Sequence, residues 1–86
     1  MQPLQVAGRA VLATGGDLAT DGQRQTSAGL TAFAGRSESV ISGWLLFQSG
    51  PNMGQVGTVQ FVLNPTTFFT SESFQASANQ SFTLVQ

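Results

Sequence analysis

Asp17, Asp21, Glu38 and Glu72 are the only carboxylate side chains in the sequence, and His, Cys, Lys and Tyr are all absent. Any proton transfer near neutral pH would therefore fall to those four groups. A glycosidase-like pair, Asp17 with Asp21 or Glu38 with Glu72, would need one carboxyl with a raised pKa at a fixed distance from its mate. Nothing in the spacing points to either pair, and all four read as solvated charges at turns and strand ends. Nine Ser and nine Thr supply hydroxyls, but a hydroxyl is a weak nucleophile without a neighbouring base. The expectation is a protein that is not an enzyme and uses no cofactor.

Metal and ligand chemistry is equally sparse. Asp17 and Asp21 stand four apart in the Gly-rich stretch 14–22, where carboxylate and carbonyl oxygens can serve Ca²⁺. The stretch lacks the spacing and terminal Glu of a full calcium loop, so it reads as a turn in which Asp bonds its own backbone. Gly15-Gly16 has no Lys at the spacing of a phosphate cradle. Three arginines, Arg9, Arg24 and Arg36, cannot make a phosphate-tracking patch. No apolar run approaches the roughly 20 residues of a membrane helix. Nucleic acid and membrane are therefore not expected partners, and no metal site is expected.

Trp44, the only tryptophan, is the one candidate platform for stacking a sugar. Its neighbours Gly43, Leu45 and Leu46 are those of a core or subunit-interface aromatic. Asn79-Gln80-Ser81 fits the glycosylation pattern, but residues 1–5 lack the basic and apolar regions of a secretory signal, so the match reads as accidental.

The elements that position these residues read as β-structure throughout. The clearest lies at 40–63, two apolar runs flanking the turn at 49–54. In its first strand Trp44 and Leu46 point one way and Ile41, Leu45 and Phe47 the other, so both faces are apolar. Such a strand is covered on both sides, by a second layer or by another chain. In its second strand Val59, Phe61 and Leu63 share the face expected to be core. Residues 4–13 alternate as a half-buried strand with Gly8 as a bulge, 14–22 reads as a loop, and 23–29 is undecided. A short strand is expected at 30–34. Asn64-Pro65 ends the hairpin. Residues 68–78 form one strand or two short ones, and 82–85 form a separate last strand. No 3.6-residue apolar period occurs. The expected fold is a single all-β domain over 1–86, with 1–8 able to act as an extended arm. Its architecture is expected to be a small antiparallel β-sandwich or barrel of about six to eight short strands around the central hairpin.

Composition carries the functional expectation. Charged residues make up 8% of the 86 and the net charge is −1, against about 25% charged in ordinary domains. A chain this short is marginal alone and usually leans on disulfides, a metal or partner subunits. Without Cys or His, partner subunits remain. Ten Gln with the Ser and Thr give neutral hydrogen-bonding surface, which is cheaper to bury than charge. The expected protein is a non-enzymatic virion structural protein, a small phage capsid decoration or cement protein. It would assemble in the host cytoplasm and reside in the virion. Its partners would be itself, as a homo-oligomer with a trimer favoured, and larger capsid or particle subunits. Trp44, Leu46, Phe33, Phe69 and Leu4 are the expected partner interface. The alternative is a carbohydrate- or receptor-binding β module of a tail fibre or adhesin.

Overall fold

The computed structural model describes residues 7–28 and 43–86. Among them are four strands, β1 (Val11–Thr26), β2 (Trp44–Phe47), β3 (Val56–Asn64) and β4 (Thr67–Val85). They form one antiparallel sheet in the order β1-β4-β2-β3, with β3 also pairing directly to β4. The all-β expectation is thus met. The expectations for residues 4, 30–34, 36 and 38 and for the start of the hairpin at 40–42 lie outside the described residues.

The central hairpin forms where the sequence places it. Trp44, Leu45 and Leu46 pair with Thr58, Gly57 and Val56. Its loop is closed by the Phe47 N–H on Gln55 O (3.0 Å) and the Gly54 N–H on Phe47 O (2.8 Å). A second, tighter hairpin joins β3 to β4 through Pro65 and Thr66, with Asn64 pairing Thr67. There the Asn64 carboxamide oxygen accepts from the Thr66 N–H (3.0 Å) and hydroxyl (3.1 Å), the side-chain turn that favours Asn at such positions.

The strand count and closure differ from expectation. About six to eight short strands in a sandwich or barrel were expected, whereas the described residues hold four strands, two of them long, and the sheet is not closed into a barrel. The breaks at 14–22 and at 78–81 do not end strands. β1 runs through Gly15-Gly16 and Asp21-Gly22, and β4 runs through Asn79, because the two are each other's antiparallel partner from Val11↔Val85 to Thr26↔Thr67. Paired backbone absorbs the weak β-formers as register shifts, five of them along this ribbon.

Those shifts let the ribbon double back. Fully extended, the 19 residues of β4 would span about 60 Å, yet the longest dimension of the molecule is 31 Å. The pairing directions require the same conclusion. β2 is antiparallel to β3 and to the end of β4 at 82–85, while β3 is antiparallel to the start of β4 at 67–70. All three relations hold only if the two ends of β4 run in opposite senses. One corner lies between Gly22↔Phe74 and Arg24↔Phe69, where β1 advances two residues and β4 five. Gly22 has φ +65° there, and the Gln23 amide donates to the carbonyls of Thr70 and Ser71 (both 3.1 Å), holding the bulged turn. A second irregularity lies between Leu18↔Gln80 and Thr20↔Ser77. It is spanned by Asn79 in the left-handed region (φ 56°), which Asn tolerates better than most residues.

The core draws residues from both halves of the sheet. Leu45, Phe47, Phe82 and Leu84 from one half meet Val59 and Phe68 from the other, with Leu18 beside them, all essentially inaccessible. Burial of each such side chain is worth about 1.5–3 kcal/mol. Glycine admits aromatic rings at two points: a β-carbon at Gly15 would lie 2.9 Å from Phe82 Cε1, and one at Gly57 would lie 2.9 Å from Phe74 Cε2.

Beside this apolar core runs a polar one. The Asn52 amide donates to Gln80 Oε1 (3.0 Å), Gln80 Nε2 to Thr20 Oγ1 (2.8 Å), and Thr20 Oγ1 to Gln25 Oε1 (2.6 Å). Gln25 Nε2 then donates to Thr70 Oγ1 (3.4 Å), and Thr70 Oγ1 to Glu72 O (2.7 Å). The five side chains are buried, and every link donates in the same direction. Asn52 also meets the Gln75 peptide, accepting from its N–H (3.1 Å) and donating to its carbonyl (2.8 Å). This is the two-bond exchange of a hydrogen-bonded antiparallel pair, made by a side chain in place of a strand. Among the described residues no buried side-chain N or O lacks a partner.

Candidate interaction surface

β3 changes face part-way along its length. Its ladder with β4 pairs Val59 with Thr70 but Phe61 with Phe69, a shift of one residue. A one-residue slip sends all later side chains to the opposite face. Val59 is therefore buried and Val62 packs against the core, while Phe61 and Leu63 stand 45% and 60% exposed. The expectation that Val59, Phe61 and Leu63 share the core face is corrected by this bulge.

The displaced side chains build a surface feature. The Phe61 ring stacks on Phe69, centroids 4.7 Å apart and planes at 9°, and Phe69 pairs with Arg24 of β1. Next to the stack lies a hollow of about 260 Å³ lined by Ala19, Thr20, Asp21, Arg24, Leu63 and Thr67, among others. Arg24 and Asp21 form an ion pair on its rim (3.0 Å), with side chains 54% and 72% exposed. Such a pair adds little stability, about 0–1 kcal/mol. What it does is place one charge of each sign beside an apolar ridge.

The expected interface residues fall in different places. Phe69 is in this ridge. Trp44 and Leu46 lie together on one side of β2, opposite the core residues Leu45 and Phe47, and both are half-buried. That side is covered in large part by the chain itself: Val85, the partner of Trp44, is fully buried, and the Arg9 guanidinium sits 4.3 Å from the centroid of the indole. A cation on the ring face is a favourable contact of about 0.5–1 kcal/mol at exposed sites, and it occupies one stacking face that a sugar would use. Leu4 and Phe33 lie outside the described residues. Phe61 and Leu63 were missed as surface residues, since nothing in the alternation of β3 marks the bulge that turns them outward.

The carboxylates are dispersed. Asp17 accepts from the Ser27 hydroxyl (2.5 Å), Asp21 pairs with Arg24, and Glu72 accepts from the Thr58 N–H (2.7 Å) and hydroxyl (3.2 Å). Asp17 and Asp21 therefore serve different partners, and Glu38 lies outside the described residues. Among the described residues no three His, Cys, Asp or Glu side chains gather in a metal-binding group. Comparison with protein-family models, with characterised proteins and with solved structures finds no match to this chain.

Proposed function

We propose that this is a non-enzymatic structural protein of a bacteriophage-like virion, a small capsid decoration or cement protein that binds the shell as a homo-oligomer. The observation that carries the reading is the outward-facing Phe61–Phe69 stack with Leu63, on a chain of which only 8% is charged. Large exposed apolar side chains gathered on one face mark contact surfaces. The Asp21–Arg24 pair borders them, as polar groups border the apolar centre of a protein interface. The mechanism is mechanical: the protein adds contact area between neighbouring shell subunits. The finer architecture expected from sequence belongs to the same reading, with the halves of the doubled sheet acting as two layers of a small sandwich.

The test is fractionation of particles from producing cells on a density gradient, with quantitative mass spectrometry across the fractions. The protein should band with the particle at a fixed ratio to the main shell subunit, and particles lacking it should open at lower temperature. Recovery only among free proteins at the top of the gradient would sink the reading. Glycan binding that is abolished by Trp44→Ala with the fold intact would replace it with the carbohydrate-binding alternative.

A further inference from the structure

The structure assigns the face carrying Phe61, Phe69 and Leu63 to association of two copies of this chain about a twofold axis. The assignment rests on the homo-oligomer reading above and names the surface that makes the contact. Three observations select a second copy as the occupant. First, the ring stack and the 260 Å³ hollow adjoin on one face, with Leu63 as part of the hollow's wall. A twofold contact is made by one patch on both subunits, each residue i meeting j while j meets i. A ridge beside a hollow meets that condition, because a half-turn sets each ridge over the other copy's hollow. A cyclic trimer would instead need ridge and hollow on sides of the subunit turned away from each other.

Second, the charges are self-complementary. Asp21 and Arg24 are exposed on the hollow's rim, and the half-turn that seats the ridges lets Arg24 of each copy meet Asp21 of the other. A partner with charge of a single sign would gain at one member of the pair about what it loses at the other, whereas a second copy can match both. Third, the 86-residue chain contains no cysteine, and chains of this size commonly gain stability by association.

The measurement is sedimentation equilibrium of the full chain over about 1–100 μM, a range that reports dissociation constants of that order. The expected mass is twice the 9.0 kDa of the chain. Phe61→Asp and Leu63→Asp should each weaken the dimer by about 30-fold or more, the effect of losing a central interface side chain. Because both side chains lie outside the core, circular dichroism should stay close to wild type, while the urea midpoint should fall and lose its dependence on protein concentration as association is lost. Asp21→Arg and Arg24→Asp should each weaken self-association about five-fold. Mixing these two variants should restore a 1:1 dimer, since one copy then presents two arginines and the other two aspartates. A monomer across the whole range, a trimer, or a dimer indifferent to both Phe61→Asp and Leu63→Asp would overturn the assignment. The gradient experiment keeps the two readings apart. Wild-type protein that bands with particles but sediments alone as a monomer defeats the twofold contact only. A dimer that never bands with particles defeats the particle reading only.

Discussion

Gly57 lies where β3 passes beneath two side chains: an added β-carbon would approach Phe74 Cε2 at 2.9 Å and Thr70 Cγ2 at 3.0 Å. Thr70 is buried and bonded at the bulged corner, so it has little freedom to withdraw. Gly57→Ala should therefore cost about 1–3 kcal/mol, the usual range for overpacking a filled core, read as a lower urea midpoint at unchanged slope. The polar core is more exacting. Asn52→Ala leaves the Gln75 peptide and Gln80 Oε1 without the partners shown above. The buried Gln80 oxygen, left unpaired, alone costs about 1–3 kcal/mol. Gln80→Leu breaks the chain at the next link and leaves Asn52 and Thr20 short. In a double-mutant cycle, Asn52→Ala and Gln80→Leu should be strongly non-additive, because both remove the same bond. Additive losses in urea denaturation would show that the two amides act independently.

At the scale of the element, the hairpin was legible and the long ribbon was not. The turn at 49–54 carries Gly, Pro and Asn between apolar runs, and β2 and β3 form on either side of it as expected. The two-sided apolar pattern of β2 left its core face open, and burial now assigns Leu45 and Phe47 inward. Gly15-Gly16, Asp21-Gly22 and Asn79 read as breaks, because local sequence reports a residue's reluctance to be in a strand and says nothing of the partner that overrules it. Gly15 is present for the Phe82 ring, and Gly22 and Asn79 supply the positive φ of bulges. The outward turn of Phe61 escaped for a related reason, since a bulge on β3 is a property of the β3–β4 pair. Buried Gln25 and Gln80 left only a faint trace, an abundance of Gln and Thr in a chain nearly without charge. The same view sets the consequence of disturbing a corner. Asn79→Val places a β-branched residue at φ 56°, a conformation costing roughly 1–2 kcal/mol for ordinary L residues. The loss of stability should be of that size and should be largely avoided by Asn79→Gly.

For the whole molecule, the decisive fact is that β4 pairs with each of the other three strands. No strand among those described can leave without breaking the ladder of β4, so the two halves of the sheet should open together. Native-state hydrogen exchange should therefore give similar opening free energies for strand-bonded amides at 67–70 and at 82–85. A gap of several kcal/mol between them would mean that the halves are separate cooperative units. The pairing Val11↔Val85 also joins distant parts of the sequence, and chains dominated by such contacts fold in milliseconds to seconds. Stopped-flow refolding should place this protein at the slow end for its length.

The hydrogen-bonded chain from Asn52 to Thr70 has a further property. A file of amides and hydroxyls can ordinarily be run in either sense, as in ice, where that freedom survives as residual orientational entropy. Here the Gln75 backbone offers its N–H and its carbonyl to Asn52, which decides which way round that amide sits, and the Leu18 carbonyl does the same for Gln80 by accepting from its Nε2 (3.3 Å). With the Glu72 carbonyl accepting from Thr70 at the far end, backbone groups along the file set its polarity. Asn52→Asp, which removes the donor at its head, would leave Gln80 facing an acceptor with an acceptor of its own.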